Sequence, residues 1–112
     1  MARKTTEQGE IKRLSAIYDN LPPKQKALAQ GLIVQAARLR VMLDELRADI
    51  QENGMTELFQ QSEKVEPYVR TRPQADLFVK MDKNHQAIIR QLQDMLPPEN
   101  DQDDDLAAFR NG

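Results

Sequence analysis

The sequence predicts an all-α protein: a short N-terminal helix, a long central helix and a C-terminal helix, the last two forming a helical hairpin with a short arm between them. Three observations carry this. Residues 22–53 place apolar side chains at helical spacing without interruption. Residues 71–96 repeat the pattern behind a proline-marked start. Charged residues make up 30% of the chain and the mean hydropathy is −0.72, a soluble, helix-prone composition. At 112 residues there is room for one small domain, here residues 1–96, followed by an acidic tail, 97–112.

Residues 1–5 read as a loose basic arm carrying Arg3 and Lys4. Thr5 and Gln8 have the capping-box spacing, so a first helix is expected from about Thr6 to Asn20. Ile11, Leu14, Ile17, Tyr18 and Leu21 share one face of it, and Lys12 and Arg13 point away. Gly9 weakens the first turn by about 1 kcal/mol relative to Ala. Leu21-Pro22-Pro23 then forces a break and a restart.

The central helix is expected over Pro22–Asn53. Prolines suit a first turn, because the N–H groups they lack would be unpaired there, and Gly54 supplies a left-handed C-terminal cap. The rod would be on the order of 45 Å long at about 1.5 Å per residue. Leu28, Leu32, Ala36, Leu39, Leu43, Leu46 and Ile50 form one stripe, which the C-terminal helix is expected to cover. Ile33, Val34, Ala37 and Val41 form a second stripe on roughly the opposite side. The rest of the chain has little apolar material for it, so these four residues are the expected interface of a homo-oligomer. Arg40 and Asp44 make a weak i,i+4 pair.

Residues 55–72 are the least regular. Leu58-Phe59 and Val65, Tyr68 and Val69 flank a polar Ser62-Glu63-Lys64, which fits either a short β-hairpin with Pro67 at an edge or an irregular arm packed on a neighbouring surface. The third helix is expected from Thr71 or Arg72 to Leu96, with Thr71 and Gln74 as a second capping box and Pro73 in the first turn. Leu77, Phe78, Met81, His85, Ile88, Ile89, Leu92, Met95 and Leu96 line its core-facing stripe. Pro97-Pro98 ends it, and the polar tail that follows is of a composition that resists folding alone. Near its end, Asp104 and Asp105 precede Leu106 and Phe109, a spacing suited to one helical turn docking in a partner's groove.

Little catalytic chemistry is on offer. Four glycines assemble no phosphate-binding or dinucleotide fingerprint, and one histidine with no cysteine removes most metal and nucleophile–base sets. His85 reads as a core histidine, Met42, Met81 and Met95 as core fillers, and the aspartates of the tail lack the Gly and closing Glu of a calcium loop. A non-enzymatic protein without cofactor or metal is expected. The cysteine count fits a cytosolic setting, and neither a signal-peptide core nor a membrane span is evident. Charge is graded along the chain. Residues 1–47 hold nine Lys/Arg against five Asp/Glu, a net +4; residues 97–112 hold one against five, a net −4. Arg3, Lys4, Lys12, Arg13, Lys24 and Lys26 are therefore the candidate DNA-binding residues, touching phosphate rather than base edges. No helix-turn-helix is legible, since the break between helices is Leu21-Pro22-Pro23 and the second helix is too long.

Tyr18-Asp19-Asn20-Leu21-Pro22-Pro23-Lys24-Gln25-Lys26 runs into Ala29-Gln30-Gly31-Leu32-Ile33-Val34-Gln35-Ala36-Ala37-Arg38-Leu39, and later come Glu52-Asn53-Gly54, the apolar arm, Arg72-Pro73-Gln74-Ala75 and a closing helix. In this order of elements the chain resembles, over residues 10–110, the small terminase subunits of tailed double-stranded DNA phages. The resemblance implies a ring-forming, non-enzymatic subunit in the host cytoplasm. Such a subunit binds double-stranded viral DNA and recruits and regulates the large terminase subunit, the ATPase and nuclease. Asp104, Asp105, Leu106 and Phe109 would then be the large-subunit contact. Many members carry an N-terminal helix-turn-helix, and this chain departs from that. The competing reading is a helical protein-binding module, a phage assembly scaffold or an antitoxin-like partner, whose basic front serves solubility.

Overall fold

The computed structural model describes residues 4–97, and Arg3, Asp104, Asp105, Leu106 and Phe109 lie outside them. Three helices dominate: α1 (Glu7–Ile17), α2 (Pro23–Asn53) and α3 (Pro73–Met95). Between α2 and α3, β1 (Thr56–Phe59) and β2 (Tyr68–Thr71) form a two-stranded antiparallel hairpin. The molecule is long and thin, with principal extents of 71 × 36 × 30 Å.

Local chemistry explains the ends of the elements and corrects two expected caps. The cap of α1 is Thr6, not Thr5: its Oγ1 accepts the Gly9 N–H at 3.0 Å. A Cβ at position 9 would lie 2.9 Å from that oxygen, so Gly9 makes room for the cap as well as lowering helix propensity. Glu7 and Glu10 favour the positive end of the helix dipole. α1 also stops at Ile17, three residues earlier than expected, and Leu21 N–H reaches back to the Tyr18 carbonyl. α2 opens on Pro23 and closes at Gly54, whose φ of 84° is the left-handed conformation that favours glycine. The proposed Thr71 capping box does not form. Thr71 ends β2 opposite Thr56, and the extended backbone of Arg72 opens α3 instead.

The core is a three-helix seam. Leu14 and Tyr18 with the following Leu21, Ala29, Ile33 and Ala36 from α2, and Leu92 from α3 bury one another. Alanines at 29, 36 and 37 let the backbones come close, and all three are fully buried. This overturns part of the expected oligomer interface. Ile33 is 2% exposed, packed with Leu14, Tyr18 and Leu21, and Ala37 is 0% exposed; only Val34 and Val41 stay half-buried. The expected core stripe is displaced in the other direction: Leu28 is 69% exposed, and Met42 and Leu77 are exposed too. Arg47 lies over the Phe78 ring at 5.7 Å and ties α2 to α3 nearer the hairpin.

Candidate functional site

The basic front is less uniform in space than in sequence. Arg13 grips Glu10 with two hydrogen bonds, Nε to Oε1 at 2.7 Å and Nη2 to Oε2 at 3.0 Å. That hydrogen bond holds the Glu10 carboxyl below its usual range, against the opposing effect of partial burial. Lys26 meets Asp19 at 2.8 Å, which lowers the Asp19 carboxyl likewise. Both cations are therefore partly neutralised before any phosphate arrives. Lys4, Lys12 and Lys24 are exposed and make no ion pair among the described residues. Lys24 and Lys26, two residues apart on α2, project about 200° apart, so they cannot share one phosphate-facing surface. Arg38 bonds Glu7 at 3.0 Å and staples the start of α1 to α2.

The hairpin resolves the alternatives left open for residues 55–72, and it does not pack on the helices as expected. Its register pairs Glu57 with Arg70, Leu58 with Val69 and Phe59 with Tyr68. Alternation puts Leu58 and Val69 on one face, where they are 72% and 69% exposed. The other face is self-satisfied. Phe59 and Tyr68 meet edge to face at 5.8 Å, Arg70 stacks 3.6 Å from the Phe59 ring, and its Nε bonds Glu57 at 2.6 Å. Pro67 precedes β2 and so interrupts no ladder bond.

Arg72 fixes where the hairpin points. Buried to 9% exposure, it donates from Nη1 to the Gly54 carbonyl at 2.7 Å and from Nη2 to Asp49 Oδ2 at 2.8 Å. Its own N–H bonds the Met55 carbonyl at 2.8 Å, so one residue ties both ends of the hairpin to the last turn of α2. In the sequence Arg72 reads only as a helix start. The available signal was a charged residue next to Pro73, which says nothing of a partner 23 residues away.

His85 sits on α3 with its Nε2 buried and unpartnered among the described residues. Burial pushes its imidazole below the ordinary value of 6.5; Arg40 on α2 and Arg13 on α1 push the same way, and Asp82 and Glu10 oppose. The unfolded chain thus takes up the proton first. Stability is full above the ordinary value and is lost as pH falls through it toward the lowered folded value. His85 is the only histidine, so the denaturation midpoint should drop between about pH 7.5 and 5.5. The same measurement on His85→Gln should give a flatter profile; an unchanged slope would assign the effect elsewhere.

Among the described residues no group of three or more His, Cys, Asp or Glu is placed to hold a metal, and no helix is long and apolar enough to cross a membrane. Surfaces open to a partner include the three exposed lysines and the apolar face of the hairpin. No family model, no curated protein and no solved structure matches the chain.

Proposed function

We propose that the protein is a non-enzymatic small terminase subunit. In this reading it self-associates into a ring, holds double-stranded viral DNA, and recruits the large terminase subunit at the start of genome packaging in the host cytoplasm. The resemblance of residues 10–110 motivates the reading, and one structural observation supports it most. Leu58 and Val69 stand opposite each other on the exposed face of a hairpin that Arg72 anchors. A two-stranded hairpin with four-residue strands is marginal by itself, and its two outer edges are open to pairing. A neighbouring copy laid against that face would bury Leu58 and Val69 and stabilise both hairpins, so the hairpin takes over the role first given to the α2 stripe. Lys4, Lys12 and Lys24 supply the DNA contact, and Leu106 and Phe109 in the tail engage the large subunit.

Native mass measurement with and without DNA tests the reading. The wild-type chain should run as a defined oligomer at tens of micromolar, and Leu58→Asp/Val69→Asp should run as a monomer with unchanged far-UV helix signal. A wild-type monomer under those conditions would sink it. For DNA, three phosphate contacts per subunit give a salt slope of about −2.7, so raising salt from about 50 to 200 mM should cost about 40-fold in affinity for each subunit engaged. The partial neutralisation of Arg13 and Lys26 favours the second reading, a helical protein-binding module. Absence of binding at the lower salt would select it.

A further inference from the structure

The α2–α3 seam is open on the side away from α1. Two grooves of about 490 and 480 Å³ adjoin there and share Gln35 and Gln91, so they form one channel. Gln35 lies about 160° around α2 from Ile33, which faces the core that α1 closes. The channel is lined by Leu28, Leu32 and Met95 at one end and by Leu39 and Ile88 at the other. Gly31 faces open space there, since a Cβ at that position would find no heavy atom within 4 Å. Arg38 lines it, its Nε already bonded to Glu7 of α1 at 3.0 Å, and no carboxylate is among the lining residues. Lys24, one turn before Leu28 on the same strip of α2, adds a cation that makes no ion pair among the described residues.

We propose that this channel is the docking site of the chain's own C-terminal segment, residues 98–112. Leu106 and Phe109 would enter over Leu39 and Ile88, and Asp104 and Asp105 would face Arg38. The connection favours it. Met95, the last residue of α3, itself lines the channel, and Leu96 already turns into extended backbone with φ −76° and ψ 143°. From Met95 back to Ile88 is about 10 Å along the helix. Nine residues from Pro97 to Leu106 span up to about 30 Å, enough to reverse direction and reach it.

The charges agree as well. The segment carries Glu99, Asp101, Asp103, Asp104 and Asp105 against Arg110. Lys24 stands unpaired among the described residues at the near end, and Arg38 would exchange its exposed pair with Glu7 for one with the tail. A tether this short gives an effective concentration in the millimolar range, so the two apolar anchors carry the docked state and the exchange of Arg38 from Glu7 to the tail is secondary. The consequence is a self-capped tail, released when a partner binds it more tightly. The proposal does not depend on the terminase reading: it holds or fails in the isolated chain, without DNA or large subunit.

The chain has no cysteine, so engineered pairs report without background. Ala107→Cys combined with Ala87→Cys, an exposed channel position, should oxidise to an intrachain disulfide, seen as a faster-migrating monomer on a non-reducing gel. The rate should be at least about tenfold that of a control pairing Ala107→Cys with Ala16→Cys, an exposed position on α1, and independent of protein concentration. Adding Leu106→Ala/Phe109→Ala should bring the first pair down to the control rate. Equal rates for the two pairs, indifference to the anchor substitutions, or a concentration-dependent interchain dimer as the sole product would each overturn the proposal. The dimer would assign the channel to a second copy.

Discussion

Ile33→Asp is expected to unfold the helical body. Ile33 is 2% exposed in the seam where Leu14, Tyr18 and Leu21 meet α2 and α3. The substitution removes a large buried apolar side chain, at about 2–5 kcal/mol for truncation alone, and leaves a carboxylate in its place with no cation to pair. A domain of this size holds about 5–15 kcal/mol in total, so most of the folded population should be lost. Val34→Asp, one residue along and half-buried, should cost about 1 kcal/mol. Chemical denaturation followed by far-UV circular dichroism separates the two. If Ile33→Asp instead kept its midpoint and only lost mass, Ile33 would be an interface residue after all, and the packing of α1 over it would be wrong. Leu92→Ala, at 0% exposure on α3, should cost about 2–5 kcal/mol by the cavity it opens.

That contrast marks where the sequence was legible and where it was not. The periodicity of residues 22–53 and 73–95 was strong enough to place both long helices within a residue or two, since apolar spacing reports helix directly. It could not say which partner covers which stripe. Ile33 and Ala37 read as an outward face because the rest of the chain offers little apolar material for it, yet both are buried, and Ile33 packs with Leu14, Tyr18 and Leu21. Leu28 fits the core stripe by spacing, but it lies exposed at the open end of the α2–α3 groove that Met95 also lines.

The hairpin was ambiguous because its strands are only four residues each, too short for alternation to outweigh other readings, and the pairing of Leu58 with Val69 depends on an eight-residue loop between them. The basic front was legible as composition, but its neutralisation was only partly so. Glu10 three residues before Arg13 is a local helix pair, whereas Asp19 reaches Lys26 only because Leu21-Pro22-Pro23 folds the chain back between them. Arg72 was the residue least accessible to pattern reading, since its partners Asp49 and Gly54 lie in another element.

Arg72→Met should free the hairpin while leaving the helices folded. Met keeps much of the aliphatic stem but donates no hydrogen bond, so the Gly54 carbonyl and Asp49 Oδ2 lose their partner at the junction of α2, the hairpin and α3. A hydrogen bond to a charged group contributes about 1.5–3 kcal/mol when buried; Asp49 is about one-third exposed, which places the total nearer 2 kcal/mol. Asp49 also accepts from Asn53 at 2.8 Å, so it keeps one partner and the last turn of α2 should persist. The loss falls on the hairpin, whose remaining tie at the neck is the backbone bond from Arg72 to Met55. Amide hydrogen exchange should therefore quicken by about 30-fold across residues 56–59 and 68–71, with protection unchanged in α1 and in the α2–α3 seam around Leu92. If the hairpin is the self-association element, the same variant should weaken assembly without the charge that Leu58→Asp introduces, separating orientation from burial. Uniform loss of protection over all three helices would mean that Arg72 supports the whole fold rather than the direction of its arm. Unchanged exchange in the strands would mean that the hairpin holds its place without it.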